Sequence, residues 1–102
     1  MRRSRGGSSQ TNWQAIVEAI EKVKGEKWEQ FRDHHGDWGR ELAFWIARRR
    51  GGMTLKEVAE KAGGMDYAAV SEAVRYFERR RLATAAVRKT YKAVIDLLNL
   101  EM

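Results

Sequence analysis

The side chains best placed to do chemistry in this sequence follow a double glycine, in the stretch Gly63 to Arg75. If Val70, Val74 and Phe77 face a core at helical spacing, the residues between them face outward. An outward arginine can pair with guanine, a carboxylate can accept from cytosine N4, and an alanine can approach a thymine methyl group. We therefore predict that a set of residues on this helix reads DNA bases: Asp66, Tyr67, Ala68, Ser71, Glu72 and Arg75.

Each predicted base reader also has a purely structural interpretation. Asp66 is well placed to cap the helix that begins after it. Tyr67 could pack over the glycine turn, and Glu72 could simply balance nearby arginines on a solvated face. These alternatives stay open from the sequence alone.

The net charge of +6 is unevenly distributed along the 102 residues. Positive charge is concentrated in the N-terminal tail, in Arg48–Arg50 and in the stretch Arg75 to Lys92, as expected of a protein that binds a polyanion. Arginines at a helix end also complement the helix dipole, which is the simpler explanation. For the polyanion interpretation we predict a set of DNA phosphate contacts: Arg48, Thr54, Lys56, Arg79, Arg80 and Arg81.

Apolar residues recur with helical rather than strand spacing throughout, so we predict an all-α, compact domain of about five helices. A helix start is specified at Asp37, at the capping-box pair Thr54 and Glu57, and at Asp66. We predict a disordered basic tail over residues 1–11 and one helical domain over 12–102. The four tryptophans fall on predicted inward faces.

The composition argues against several other classes of protein. There is no cysteine, which fits a reducing compartment, and no apolar run long enough to span a membrane. The stretch "RDHHGD" has adjacent histidines, but without the spacing of known metal sites. We predict no catalytic residues, no metal and no cofactor, and we expect a cytoplasmic protein associated with the nucleoid.

A short capped helix, a glycine turn and a second helix ending in basic residues form a helix-turn-helix pattern. The stretch from Ala43 to Val70 resembles, without gaps, the C-terminal DNA-binding domain of the bacterial replication initiator DnaA, which has a fold of the Trp repressor type. The matching positions are Thr54, Leu55, Glu57, Val58, Gly63, Gly64, Asp66 and Val70. The resemblance implies binding to double-stranded DNA.

Three positions depart from the initiator pattern. Tyr67, Ala68 and Ala69 stand where the initiator has a histidine and hydroxyl residues that read its origin boxes. The sequence is more similar to the initiator-like C-terminal domain of transposases of the REP-associated tyrosine type, through Asp37–Arg40, Asp66, Tyr67 and Val70–Ser71. That resemblance implies an upstream transposase catalytic domain as a partner in a longer protein.

Two other functions remain open at this stage. A helical module for protein interaction or homodimerisation would use a basic face and an exposed apolar surface on the last helix. A hairpin or single-stranded DNA binder would use the same basic blocks as a duplex binder.

Overall fold

The computed structural model describes residues 12–34 and 37–101. These residues form helices and contain no strand, which confirms the all-α prediction, and the chain is compact, with a radius of gyration of 13.0 Å. The helices are α1 (Trp13–Lys24), α2 (Trp28–Phe31), α3 (Trp38–Arg49), α4 (Leu55–Lys61), α5 (Tyr67–Tyr76), a π-helical turn (Phe77–Arg81) and α6 (Ala85–Glu101). The predicted tail, 1–11, lies outside the described residues, as do His35 and Gly36 of "RDHHGD".

The predicted helix starts are confirmed at the level of hydrogen bonds. Asp37 Oδ1 accepts from the backbone N–H groups of Gly39 and Arg40 at 2.8 and 3.3 Å. Thr54 and Glu57 form the reciprocal capping box, with bonds of 2.8 and 3.1 Å. Each cap satisfies backbone donors that a helix start otherwise leaves unpaired, so the sequence sets where α3 and α4 begin.

Helix α3 is the central element, because it is buried over most of its length. It packs against α1, α4, α5 and the π-helical turn. Leu42 and Ile46 are fully buried, whereas Trp38 and Trp45 are only half-buried. The aromatic side chains fill the space on either side of α3.

Two aromatic groups join the outer helices to α3. Trp13 and Trp28 meet edge-to-face at 5.3 Å between ring centroids, on the side of α3 that faces α1 and α2. On the other side, Trp45 contacts Phe77 at 5.7 Å and Tyr91 at 5.2 Å. The tryptophans of the described residues therefore serve the core, as the predicted inward faces indicated.

Lys24 fastens the end of α1 to the start of α3. Its amine pairs with Glu26 at 2.8 Å and with Asp37 at 3.0 Å, and it lies over the rings of Phe31 and Trp38. Burial opposes the charge of Lys24, but these hydrogen bonds outweigh it and raise the pKa of the amine. A Cβ at Gly39 would come within 2.8 Å of the Lys24 stem, so the glycine leaves the space that Lys24 occupies.

The segment after α5 is not a regular continuation of that helix. At Phe77 the backbone changes to π-helical hydrogen bonding, and the Leu82 N–H donates to the Phe77 carbonyl at 3.0 Å. Hydrophobic periodicity cannot signal such a change, because the buried positions Val74 and Phe77 keep a spacing that either helix type allows. π-helical turns are rare and often occur at functional sites.

Two glycines make the turn between α4 and α5. Gly63 and Gly64 have φ angles of +118° and +83°, which side chains rarely adopt. The N–H groups of Gly64 and Met65 both donate to the Ala59 carbonyl, at 3.0 and 3.2 Å. Asp66 then caps α5 by accepting from the Ala68 N–H at 3.0 Å. The glycines thus allow α5 to begin after only five intervening residues, 62–66.

We expect Gly64→Ala to lower the free energy of unfolding by about 1 kcal/mol, because a Cβ is disfavoured at this φ. A Cβ at Gly64 would meet no atom within 4 Å, so the loss reports backbone conformation alone. Gly64→Asn is the control, since asparagine tolerates positive φ better, and it should lose less. Urea unfolding of the three proteins measures this, and equal losses for the two variants would contradict the explanation.

Candidate nucleic-acid interface

Helix α5 has one buried side and one open side. Val70 and Val74 are buried where α5 packs on α3 and α4. The other side projects into solvent, and Tyr67, at 60% exposure, is the most exposed large apolar residue of the described chain. Such a helix can enter a groove of another molecule without disturbing the core.

The predicted base readers occupy this open side, with one exception. Ala68, Glu72 and Arg75 are exposed, and Asp66 is exposed while it caps the helix. Ser71 is half-buried and lies beside α3, so it projects less than its neighbours. The structure therefore brings five of the six residues to one accessible surface.

Two shallow depressions follow the basic end of α5. The first has a volume of about 480 Å³ and is lined by Glu72, Arg75, Tyr76, Arg79 and Arg80. The second, of about 270 Å³, lies where α5 meets the end of α3 and the start of α4 and is lined by Arg48, Arg49, Leu55, Ser71, Val74 and Arg75. Arg75 contributes to both, so the two form a continuous basic surface.

Most of the predicted phosphate contacts are accessible. Lys56, Arg79 and Arg80 are exposed, and no hydrogen bond or ion pair within the described residues engages the Arg79 or Arg80 guanidinium. Arg48 is half-buried and donates one hydrogen bond of 3.4 Å to the Met53 carbonyl. Thr54 is exposed, although its hydroxyl already accepts from the Glu57 N–H.

Arg81 occupies a different environment from its neighbours in the sequence. Its Nε pairs with Glu41 Oε1 at 2.8 Å, and the Glu41 side chain is only 6% exposed. The hydrogen bond to Glu41 outweighs the cost of burial and raises the pKa of Arg81. The guanidinium also lies 5.3 Å from the centre of the Tyr76 ring. Arg81 therefore joins the π-helical turn to α3, a role that the sequence did not indicate.

A second link between α3 and the π-helical turn was also missed. Arg49 Nε and Nη2 lie 2.9 and 3.1 Å from the two carboxylate oxygens of Glu78, which also accepts from Trp45 Nε1 at 3.1 Å. These partners are about thirty positions apart in the sequence, so no local spacing could have revealed them. The link fixes Arg49 at the edge of the second depression.

The described residues were also compared with what a metal site, an apolar docking surface or a membrane span requires. No group of three or more His, Cys, Asp or Glu residues there could hold a metal ion. The large apolar residues exposed in the described part are Tyr67 and Tyr76, whereas on α6 the partly buried apolar residues pack against the core: Val87, Tyr91, Ile95 and Leu97. None of the described helices combines the length and the apolar character needed to cross a membrane.

We expect Arg81→Gln to lower the free energy of unfolding by about 1–2 kcal/mol, because it leaves Glu41 buried without its ion pair. Arg80→Gln is the matched control, since Arg80 is exposed, and it should change stability by less than about 0.5 kcal/mol. Thermal and urea unfolding compare the two variants. Equal stabilities would mean that the Glu41–Arg81 pair contributes nothing to the fold.

Comparison with known proteins adds no relative from which a function could be transferred. No protein-family model, no curated protein and no solved structure matches the chain. The residues of this chain and their arrangement are therefore the basis for any function proposed for it.

Proposed function

We propose that this protein binds double-stranded DNA in a sequence-specific manner, with α4 and α5 acting as a helix-turn-helix. The observation that carries the proposal is the open side of α5, which is free of the core and continues into the basic depressions. In a helix-turn-helix the N-terminal part of the second helix contacts base edges in the major groove. In this protein that part is Asp66 to Glu72.

The individual roles follow from residue chemistry. Ala68 is small enough for close approach to a base pair, and Glu72 can accept from cytosine N4. Tyr67, at the first position of α5, can donate its hydroxyl to a phosphate or a base edge. Asp66 is already occupied as the cap, so its contribution is to set the angle at which α5 meets the groove.

Phosphate contacts supply most of the affinity in this proposal. Exposed cations flank the open side of α5: Lys56 on α4, and Arg79 and Arg80 on the π-helical turn. Arg48 is half-buried beside α4. Such contacts carry little sequence information but fix the register of the protein on the duplex. We leave Arg81 out of this group, because its partner is Glu41.

The resemblance to the initiator DnaA and to transposase-associated domains is part of the same proposal. It favours duplex DNA at a mobile element, with a catalytic domain elsewhere in a longer protein. Protein interaction through α6 is less favoured, because its large apolar residues up to Leu98 are buried or half-buried against the core. Hairpin DNA remains an outcome that the binding experiment distinguishes.

We expect Ala68→Glu to weaken duplex binding by roughly tenfold or more, because it brings a carboxylate against the phosphates of the groove. Gln14→Glu is the matched control: it makes the same charge change at the same position, the second residue of a helix, on α1. A first-turn glutamate suits both helix dipoles, but each new glutamate stands four residues before another one, Glu18 or Glu72, and Gln14 also loses its hydrogen bond to Glu18. These exposed pairs cost only about 0.5 kcal/mol each, so neither variant should unfold. Gln14→Glu should change the affinity by less than about twofold.

The measurement is fluorescence anisotropy with duplexes selected from a random pool, repeated between ~50 and ~200 mM salt. Equal weakening by both variants would reduce the effect to net charge and contradict the assigned surface. Binding of a hairpin in preference to its linear duplex would move the proposal to the hairpin alternative. No salt-dependent affinity for either DNA would end it.

A further inference from the structure

The second depression brings three arginines together at a junction of three helices. Arg48 and Arg49 come from the end of α3, and Arg75 comes from the last turn of α5. Ser71 lies one helical turn before Arg75 on the same face. We call the depression formed by Arg48, Arg49, Ser71 and Arg75 the arginine niche.

The polar groups of the arginine niche have donors to spare. No hydrogen bond or ion pair joins the Ser71 hydroxyl or the Arg75 guanidinium to another described residue. By contrast, the hydroxyls of Thr84 and Thr90 each donate to the carbonyl four residues earlier. Ser71, a half-buried residue, has the same opportunity in its helix, yet its hydroxyl makes no such bond within the described residues. The niche therefore has a free hydroxyl and a free guanidinium side by side.

The apolar lining of the niche strengthens electrostatic interactions between the niche and a bound anion. Val74 is buried and Leu55 is half-buried, so the niche has apolar side chains in its lining, although Arg49 and Arg75 themselves are exposed. Charges interact more strongly near such low-dielectric material. Glu78 balances the charge of Arg49, which leaves the charges of Arg48 and Arg75 without a carboxylate partner in the described residues, and both would attract a bound anion.

Glu78 holds one wall of the niche in place. It binds Arg49 through two contacts and also accepts from Trp45 Nε1. The two contacts use Nε and Nη2 of Arg49 and leave Nη1 available. Pre-ordering a long side chain in this way reduces the entropy lost when an anion binds.

We propose that the arginine niche binds one phosphate group of the DNA backbone. The proposal deepens the proposed function and rests on it, and it assigns Ser71 and Arg75 to the backbone rather than to base edges. The Ser71 hydroxyl and the Arg75 fork would donate to the phosphate oxygens, and Arg48 and Arg49 would supply further positive charge. A phosphate is the group that matches a guanidinium fork beside a hydroxyl.

With this assignment, the C-terminal half of α5 sets the position of the protein on the duplex. A phosphate held between α3 and α5 fixes how far the helix enters the groove. Base reading then falls to the first turns, where Tyr67 and Ala68 are exposed. Loss of Arg75 should weaken every duplex equally, whereas loss of a base reader should weaken only the preferred one.

The first test uses inorganic phosphate as the probe and the full chain in solution. Nitrogen–proton NMR spectra are recorded during titration with phosphate and, at matched ionic strength, with sodium chloride. We expect saturable shifts at the Ser71 amide and at the Nε–H groups of Arg49 and Arg75. Ser71→Ala should weaken phosphate binding about tenfold, because it removes a hydrogen bond to a charged group.

Thr90→Ala is the control for the lost hydroxyl, since the Thr90 hydroxyl already donates to the Ala86 carbonyl. It should leave the phosphate affinity unchanged, and alanine suits both helices, so both variants should fold. Shifts of equal size at Arg79 and Arg80, with no effect of Ser71→Ala, would show a diffuse ion cloud and overturn the proposal.

The second test measures Arg75→Gln against a preferred and a scrambled duplex. We expect the same loss of affinity for both duplexes. The slope of log K against log salt concentration should become less steep by about 0.9, the value for one phosphate contact. A loss confined to the preferred duplex would make Arg75 a base reader and overturn the assignment. Saturable phosphate binding without any duplex affinity in the wild-type protein would sink the proposed function and keep the niche as an anion site.

Discussion

Burial of α3 on nearly every side is the constraint on which the rest of the structure depends. The burial extends to two charged residues, Arg40 and Glu41, each about 5% exposed. A buried carboxylate needs a partner, and Arg81 supplies it at 2.8 Å. The end of the α5 segment must therefore return to α3, which sets the direction of the whole helix. The surface proposed to meet DNA is thus oriented by an ion pair on its far side.

The π-helical turn fits this constraint. Both of its ion pairs run to α3: Glu78 binds Arg49, and Arg81 binds Glu41. Closing hydrogen bonds five residues back instead of four changes which side chains face α3 over that turn. Glu78 and Arg81 face the core helix, while Arg79 and Arg80 between them face solvent. A run of three arginines is divided in this way between structural and accessible positions.

How far the sequence predicts the structure depends on the distance between interacting residues. Asp37, Thr54 and Asp66 were predicted as caps because a cap and its partners lie within three positions, and all three are confirmed. The surroundings of Arg81 and Ser71 were not predicted, because both depend on tertiary packing. Arg81 meets Glu41, and Ser71 lies beside the end of α3. Helical spacing gives the inward face of one helix, but not which neighbour covers its flanks.

The same distinction decides what the positive charge of this chain means. Arginines that complete the fold and arginines that could hold a polyanion look alike in sequence, and both add to the net charge of +6. The structure separates them by their partners: Arg81 is engaged by a buried carboxylate, whereas Arg75 has donors to spare at the junction of α3 and α5. An unused guanidinium beside an unused hydroxyl is stronger support for an anion partner than total charge, because a solvated basic surface has no need to place those two groups together. The unpaired Ser71 hydroxyl and Arg75 guanidinium on α5 are therefore the strongest support for the proposed DNA binding.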